Sequence, residues 1–319
     1  MASEYDIIII GGGPAGLSTA ASIVRQDHKT VLFDSGRYRN AEAKHMHTVP
    51  SWDHRDPAEF RAASLAQFER YGSITVENVE VEAAKKNDDG TFEVTAGGKT
   101  WKGKKLVLAT GVEDIFPDIP GYAECWVSGI FHCLYCHGWE EKEYSPSAGM
   151  LAEGDTGNVV VALHFARQAL RIAKQVTLYT NGNEELAKQL KEALEAAPAP
   201  MVVDHRKIAK LVKAPERARI TLEFADGSEP VTEAFLAHKP KTRQRAPGLV
   251  KQLGLELTPM GTIKANPPFN QTDVKGIFAA GDCSSPMQTV TAALHSGSCT
   301  GGGAPLQIQA ETYGQKAIF

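Results

Sequence analysis

The sequence predicts an α/β fold of two Rossmann-like three-layer domains. Strand, glycine-rich loop, helix and strand follow one another at the N-terminus, and a second strand–turn–helix–strand succession lies between residues 148 and 182. Two further apolar runs, 106–111 and 276–282, each close on a small-residue turn. Short apolar strands that alternate with helices belong to parallel sheets.

The N-terminal unit is the most explicit. Residues 6–10 read as a buried strand, and Gly11-Gly12-Gly13-Pro14-Ala15-Gly16 follows, giving G-x-G-x-x-G at Gly11, Gly13 and Gly16. A helix is expected over 17–25 and a strand over 30–34, ending in Asp34. Glycines there allow a tight turn and bring backbone close to a pyrophosphate, which the helix N-terminus then stabilises with N–H groups and dipole. An acid at the end of the second strand accepts from a ribose hydroxyl.

Composition bounds the rest. The chain has 319 residues, enough for two domains with their own cores. A net charge of -4 argues against nucleic acid as a partner. No apolar run has the length of a membrane span, and the opening MASEYDIIII lacks the basic flank and apolar core of a signal peptide, so a cytoplasmic protein is expected. Of five cysteines only Cys133 and Cys136 are closely spaced, which is not a secreted disulfide framework.

With the glycine loop, the turn Ala109-Thr110-Gly111, the pair Cys133/Cys136 and the late Gly281-Asp282 on the page, the chain resembles the low-molecular-weight thioredoxin reductase class of FAD-dependent pyridine-nucleotide–disulfide oxidoreductases over nearly its whole length. Within that class it is most similar to the gliotoxin- and holomycin-type dithiol oxidases. That likeness rests on Asp34-Ser35-Gly36-Arg37-Tyr38-Arg39-Asn40, His45-Met46-His47, Trp52-Asp53-His54-Arg55-Asp56-Pro57, His132-Cys133-Leu134-Tyr135-Cys136-His137-Gly138, Tyr179-Thr180-Asn181-Gly182 and Ser285-Pro286-Met287. The resemblance implies a homodimer whose FAD domain is discontinuous, at residues 1–117 and 245–319, with a second domain inserted at 118–244. It implies FAD bound by Gly11, Gly13, Pro14, Ala15, Gly16 and Asp34, with Ser35, Arg39, Asn40 and His47 beside them. Thr110, Gly111 and Gly281 complete the site, and Asp282 takes the ribityl chain. The implied reaction oxidises a small-molecule dithiol to its disulfide and passes the electrons through FAD to oxygen, giving hydrogen peroxide. Such enzymes serve biosynthesis of, or self-protection against, disulfide-bridged natural products.

The inserted domain departs from a reductase. A second dinucleotide loop is expected after the strand near 148–154, but Gly154 and Gly157 do not make G-x-G-x-x-G or G-x-G-x-x-A before the helix expected over 159–174. The next strand, 176–179, ends in Thr180-Asn181-Gly182, without the arginine cluster that pairs with a 2′-phosphate. The domain therefore reads as NADPH-type but degenerate, with a divergent functional site as the alternative.

Cys133 and Cys136 are the chemical centre. Zinc would need two more ligands at suitable spacing, and His132 and His137 are too close to the pair to form a second knuckle. A purely structural disulfide over so short a loop stabilises little. C-x-x-C spacing favours reversible dithiol–disulfide exchange. By the resemblance, Cys136 faces the flavin and Cys133 the substrate. His137 stands where thioredoxin reductases carry an Asp, and His132 has a counterpart in the dithiol oxidases. Either imidazole can take and return a thiol proton near neutrality; a histidine tied to nearby backbone is the alternative for both. His45, His47, His54 and Asp53 match no ligand spacing, so no metal is expected; their loop is expected near the FAD and the substrate entrance. Lys102, Lys104 and Lys105 are expected to be solvated, and 186–197 to form an exposed amphipathic helix. Three functions compete: an FAD- and oxygen-dependent dithiol oxidase, an NADPH-dependent disulfide reductase of thioredoxin reductase type, and a non-catalytic flavin scaffold.

Overall fold

The computed structural model describes residues 3–319, and the chain divides into two compact units, Met1–Glu113 with Arg243–Phe319, and Asp114–Thr242. In the first unit, strand Ser3–Ile10 lies between Thr30–Phe33 and Lys99–Leu108, parallel to both. Ile74–Glu77 and Ile277–Ala279 extend the sheet, again in parallel. The run of four isoleucines is explained by burial on both faces. Ile8 and Ile10 join the core with Phe33 and Leu106, while Ile7 and Ile9 join the one with Leu17, Ile23 and Phe278.

Register sets the site. Ile10 pairs with both Phe33 and Leu108, and Leu108 pairs with Ala279. These strands end at one level, so the turns after residues 10, 33, 108 and 279 share one edge of the sheet.

Helix Pro14–Val24 starts with proline in its first turn, where the missing N–H costs nothing. It packs against the long helix Val290–Thr312. A Cβ at Gly297 would lie 2.3 Å from Ala15 O, and one at Gly301 2.6 Å from Thr19 O. Close approach at these glycines, with Ser18 Oγ donating to Leu294 O at 2.7 Å, holds a Gly301-Gly302-Gly303 stretch helical against its low propensity.

In the second unit, strands Met201–Asp204, Gln175–Tyr179, Ser147–Leu151, Leu236–Ala237 and Ile130–Phe131 pair in that order, all parallel. Leu151 pairs with Tyr179 and Tyr179 with Asp204, while Ala237 pairs with Met150 and Phe131. The residues that follow, His132, Glu153, Asn181, His205 and His238, therefore gather along one edge. An antiparallel sheet, Ile208–Lys213, Ile220–Phe224 and Val231–Glu233, belongs to the same unit. Among the described residues, no helix is long and apolar enough to cross a membrane.

Two local expectations need correction. Lys105 is not solvated: it is 4% exposed, and its ammonium meets both Glu311 carboxylate oxygens at 2.8 Å. Alternation along Lys99–Leu108 turns residue 105 inward, and only a partner from the distant C-terminal helix makes a charge tolerable there. The helix expected over 159–174 is Val159–Ala169. Ile172 and Ala173 are drawn into the core, and the chain turns back toward the next strand. The helix expected over 186–197 is Glu184–Ala196; it is amphipathic as expected, with Leu186, Ala187 and Leu190 on its buried face.

Candidate functional site

The shared sheet edge of the first unit forms a cradle. Gly11 has φ 122°, and a Cβ there would meet Ala109 O at 2.2 Å. A Cβ at Gly12 would lie 2.2 Å from the Asp34 carboxyl carbon, so the acid at the second strand end sits directly on the loop. Gly13 differs: a Cβ there would meet nothing within 4 Å. It caps helix Pro14–Val24 with no side chain bonded to the first-turn N–H groups. Open space in front of uncapped N–H donors suits a pyrophosphate.

Asp34 is 6% exposed and accepts from Gly36 N at 2.9 Å and from the Tyr38 hydroxyl. Burial first, and the Asp34 carboxylate second, raise the Tyr38 phenol to about 12, so it stays a donor. Arg61 stacks on Tyr38 at 3.8 Å and reaches Asn40 Oδ1 at 3.5 Å. Ser35 is exposed, its hydroxyl 3.5 Å from Arg37 N, and Arg37 pairs with Glu80.

Arg39 crosses to the far end of the chain, reaching Asp282 Oδ2 at 3.0 Å and Gln288 Oε1 at 2.8 Å. Gly281, φ 79°, donates its N–H to Ser296 Oγ at 2.7 Å, and a Cβ on it would collide with that of Ala15. The late Gly-Asp turn thus lies against the first glycine loop. Thr110 and Gly111 follow the strand end at Leu108, on the same edge. His47 is half-buried, with Nε2 3.0 Å from His54 Nδ1; His54 stacks on His45 with centroids 4.0 Å apart. Tyr38, Gln288 and Ser296 were missed by sequence reasoning. Tyr38 lies within the quoted 34–40 stretch, whereas nothing in the sequence marks Gln288 or Ser296.

In the second unit, Cys133 and Cys136 form a disulfide with Cα atoms 5.2 Å apart. The pair occupies a turn just past strand Ile130–Phe131, closed by Cys136 N and His137 N donating to Cys133 O at 3.1 and 3.0 Å. Both cysteines are half-buried. Leu134 packs inward, while Tyr135 and Trp139 point to solvent. Gly138 has φ 108°, and a Cβ there would press on Phe131 and Ile172, so the turn rests on core.

Each flanking histidine stacks on an aromatic ring. His132 lies on Trp126 at 5.3 Å and His137 on Phe131 at 6.0 Å, with the imidazoles 6.2 Å apart. Arg217 braces the following segment: it pairs with buried Glu141 at 2.9 Å, donates to Glu140 O and stacks on Tyr144 at 3.5 Å. A disulfide on a firm base with two imidazoles beside it can undergo thiol exchange with proton transfer at hand.

The edge where a second dinucleotide would lie carries acids. Glu153 and Asp155 occupy the loop after Ser147–Leu151, and the Asn158 side chain accepts from Val161 N at 3.0 Å, capping the next helix. An arginine does stand one strand over. Arg206, past Met201–Asp204, is committed to Asp204 at 2.6 Å and stacked on Phe224 at 3.6 Å.

Comparison with known proteins agrees with this geometry. A sequence profile described as pyridine nucleotide-disulphide oxidoreductase matches residues 5–297. The chain is 49% identical over 317 residues to the thioredoxin reductase tcpT of Claviceps purpurea, covering 98% of this chain and 97% of that protein. It is 42% identical to the thioredoxin reductase sirT of Leptosphaeria maculans, covering 96% and 94%. Among solved structures, HlmI superposes with a TM-score of 0.85 at 28% identity, covering 98% of this chain and 94% of that one. An oxidoreductase from Agrobacterium tumefaciens gives 0.84 at 32%, covering 97% and 99%.

Proposed function

Because the chain belongs to the pyridine nucleotide-disulphide oxidoreductases, an FAD-dependent family, we propose that it oxidises a small-molecule dithiol with oxygen: R(SH)2 + O2 → R(S–S) + H2O2. The observation that carries this reading is the Cys133–Cys136 disulfide, half-exposed on its turn between two imidazoles. The chain works as a homodimer, and its dithiol comes from natural-product biosynthesis or self-protection.

In the first half-reaction a substrate thiolate attacks Cys133 Sγ, the Cys133–Cys136 bond breaks, and Cys136 leaves as thiolate. The second substrate thiolate then attacks the substrate sulfur of the mixed disulfide, and Cys133 leaves. The substrate is now a disulfide and the protein a dithiol, so two electrons have moved. His132 or His137 takes the thiol protons, since thiolate is the attacking form. The cradle around Gly11, Gly13, Gly16, Asp34 and Asp282 fits FAD by its open space at Gly13 and its uncapped donors. FAD bound there would supply a two-electron acceptor for the cysteine pair and a donor to oxygen.

The test is oxygen uptake by the FAD-loaded protein with dithiothreitol in air, with and without NADPH. Uptake with dithiol alone, matched by peroxide, is expected. The thioredoxin reductase names of the relatives favour a second reading, an NADPH-dependent disulfide reductase. Anaerobic flavin bleaching by NADPH, with no dithiol-driven uptake, would establish that reading instead.

A further inference from the structure

One residue at the sheet edge of the second unit is held from several directions. Glu153 Oε2 accepts from Asn181 Nδ2 at 2.8 Å. Asn181, 8% exposed with φ 50°, is itself fixed, its Oδ1 accepting from Ile208 N at 2.9 Å. The backbone carbonyl of Glu153 accepts from the Thr156 hydroxyl at 2.7 Å and from His238 Nε2 at 3.1 Å. His238 is fully buried. Because a carbonyl can only accept, Nε2 carries the proton, and Nδ1 accepts from the Tyr122 hydroxyl at 2.6 Å. Side chains from four other places in the unit's sequence thus hold this one residue, Asn181 at its carboxylate and Thr156 and His238, backed by Tyr122, at its backbone carbonyl.

The location gives this clamp its meaning. In parallel α/β sheets ligands bind beyond the carboxyl ends of the strands, and a dinucleotide places its pyrophosphate on the loop after the first strand and on the helix N-terminus that follows. Here that loop follows Ser147–Leu151 and precedes helix Val159–Ala169. Its charge has the wrong sign, with Glu153 and Asp155 in place of bare backbone, and Lys239 lies 3.8 Å from Asp155 rather than free for a phosphate. The helix N-terminus is capped from within by Asn158. A carboxylate on this loop repels a pyrophosphate, and the Asn181 amide, itself fixed by Ile208 N, holds the Glu153 carboxylate at the edge where the pyrophosphate would lie.

We propose that Glu153, clamped by Asn181 and His238, determines electron-donor specificity by excluding nicotinamide dinucleotides from this sheet edge. The proposal rests on the reading of the protein as a thiol-driven oxidase and supplies a reason why its electrons come from thiols. Residues distant from the cysteine pair in sequence would then choose the direction of the chemistry.

The experiment measures binding of NADPH and of 2′,5′-ADP by calorimetry to the FAD-loaded wild type, to Glu153→Gln and to Glu153→Gly. Glu153→Gln removes the charge and keeps a group that Asn181 can hold, so the fold is preserved; thermal melting checks this. Wild type should show no saturable binding up to about 1 mM, while Glu153→Gln gains at least about tenfold in affinity and Glu153→Gly gains more. Micromolar binding by wild type would overturn the proposal, as would two folded variants that bind no better than wild type. Dithiol-driven oxygen uptake is measured separately on wild type, so failure of the oxidase reading and failure of the Glu153 clamp give different results.

Discussion

Arg39 and Asp282, 243 residues apart in the chain, form an ion pair of 3.0 Å at the edge of the first parallel sheet. Both are mostly buried, and Arg39 is held in addition by Gln288. The pair joins the segment after the second strand to the turn after the last one, and so closes the cradle. Arg39→Ala should leave Asp282 without this partner and weaken FAD binding by about tenfold or more, on the scale of a lost charge-assisted hydrogen bond. Flavin retention on dialysis, followed by absorbance, checks it; unchanged retention would remove Arg39 from the site.

The glycines of the first loop should fail in different ways. At Gly12 an added Cβ meets the Asp34 carboxyl at 2.2 Å, so Gly12→Ala should destabilise the apoprotein itself. At Gly13 an added Cβ meets no protein atom, so Gly13→Ala should leave the apoprotein melting temperature near wild type while FAD affinity falls by more than about tenfold. Equal loss of stability in the two apoproteins would show that Gly13 serves the fold rather than a ligand.

The two cysteines should separate by mass. Cys136→Ser leaves Cys133 with no partner to resolve an adduct, so incubation with a disulfide-bonded substrate should add one substrate thiol, mapped by peptide digestion to Cys133. Cys133→Ser should give no such adduct at Cys136. Both should retain FAD and lose dithiol-driven oxygen uptake by at least about a hundredfold. Adducts in the opposite variant would exchange the roles; near-wild-type uptake by either single variant would sink the mechanism.

His238 predicts acid sensitivity. Burial depresses it from 6.5 to about 4, against the opposing effects of the Glu153 carbonyl and Asp114. Between those values the unfolded chain binds the proton and the folded one does not. The stability associated with neutral His238 is therefore intact above pH 6.5 and is lost as pH falls toward 4, by about 3 kcal/mol in all. Urea midpoints from pH 7.5 to 4.5 should fall less steeply in His238→Gln than in wild type. Parallel profiles would mean that other groups dominate.

The sequence by itself determined the α/β class, the N-terminal glycine loop with its acid, and the closely spaced cysteines. These are local: a strand, a turn and a helix start are written in consecutive residues, and periodicity and glycine placement follow from backbone geometry. What only the tertiary structure decided depends on register. Aligned strand ends bring Gly281 against Ala15 and Arg39 against Asp282, although no spacing connects them. Lys105 reads as a surface lysine until Glu311 arrives from the C-terminal helix. The missing glycine loop after residue 151 could be read as an absence, but the clamp in its place could not. It is assembled from side chains at 122, 153, 156, 181 and 238, and their hydrogen bonds exist only once the parallel strands have brought their ends together.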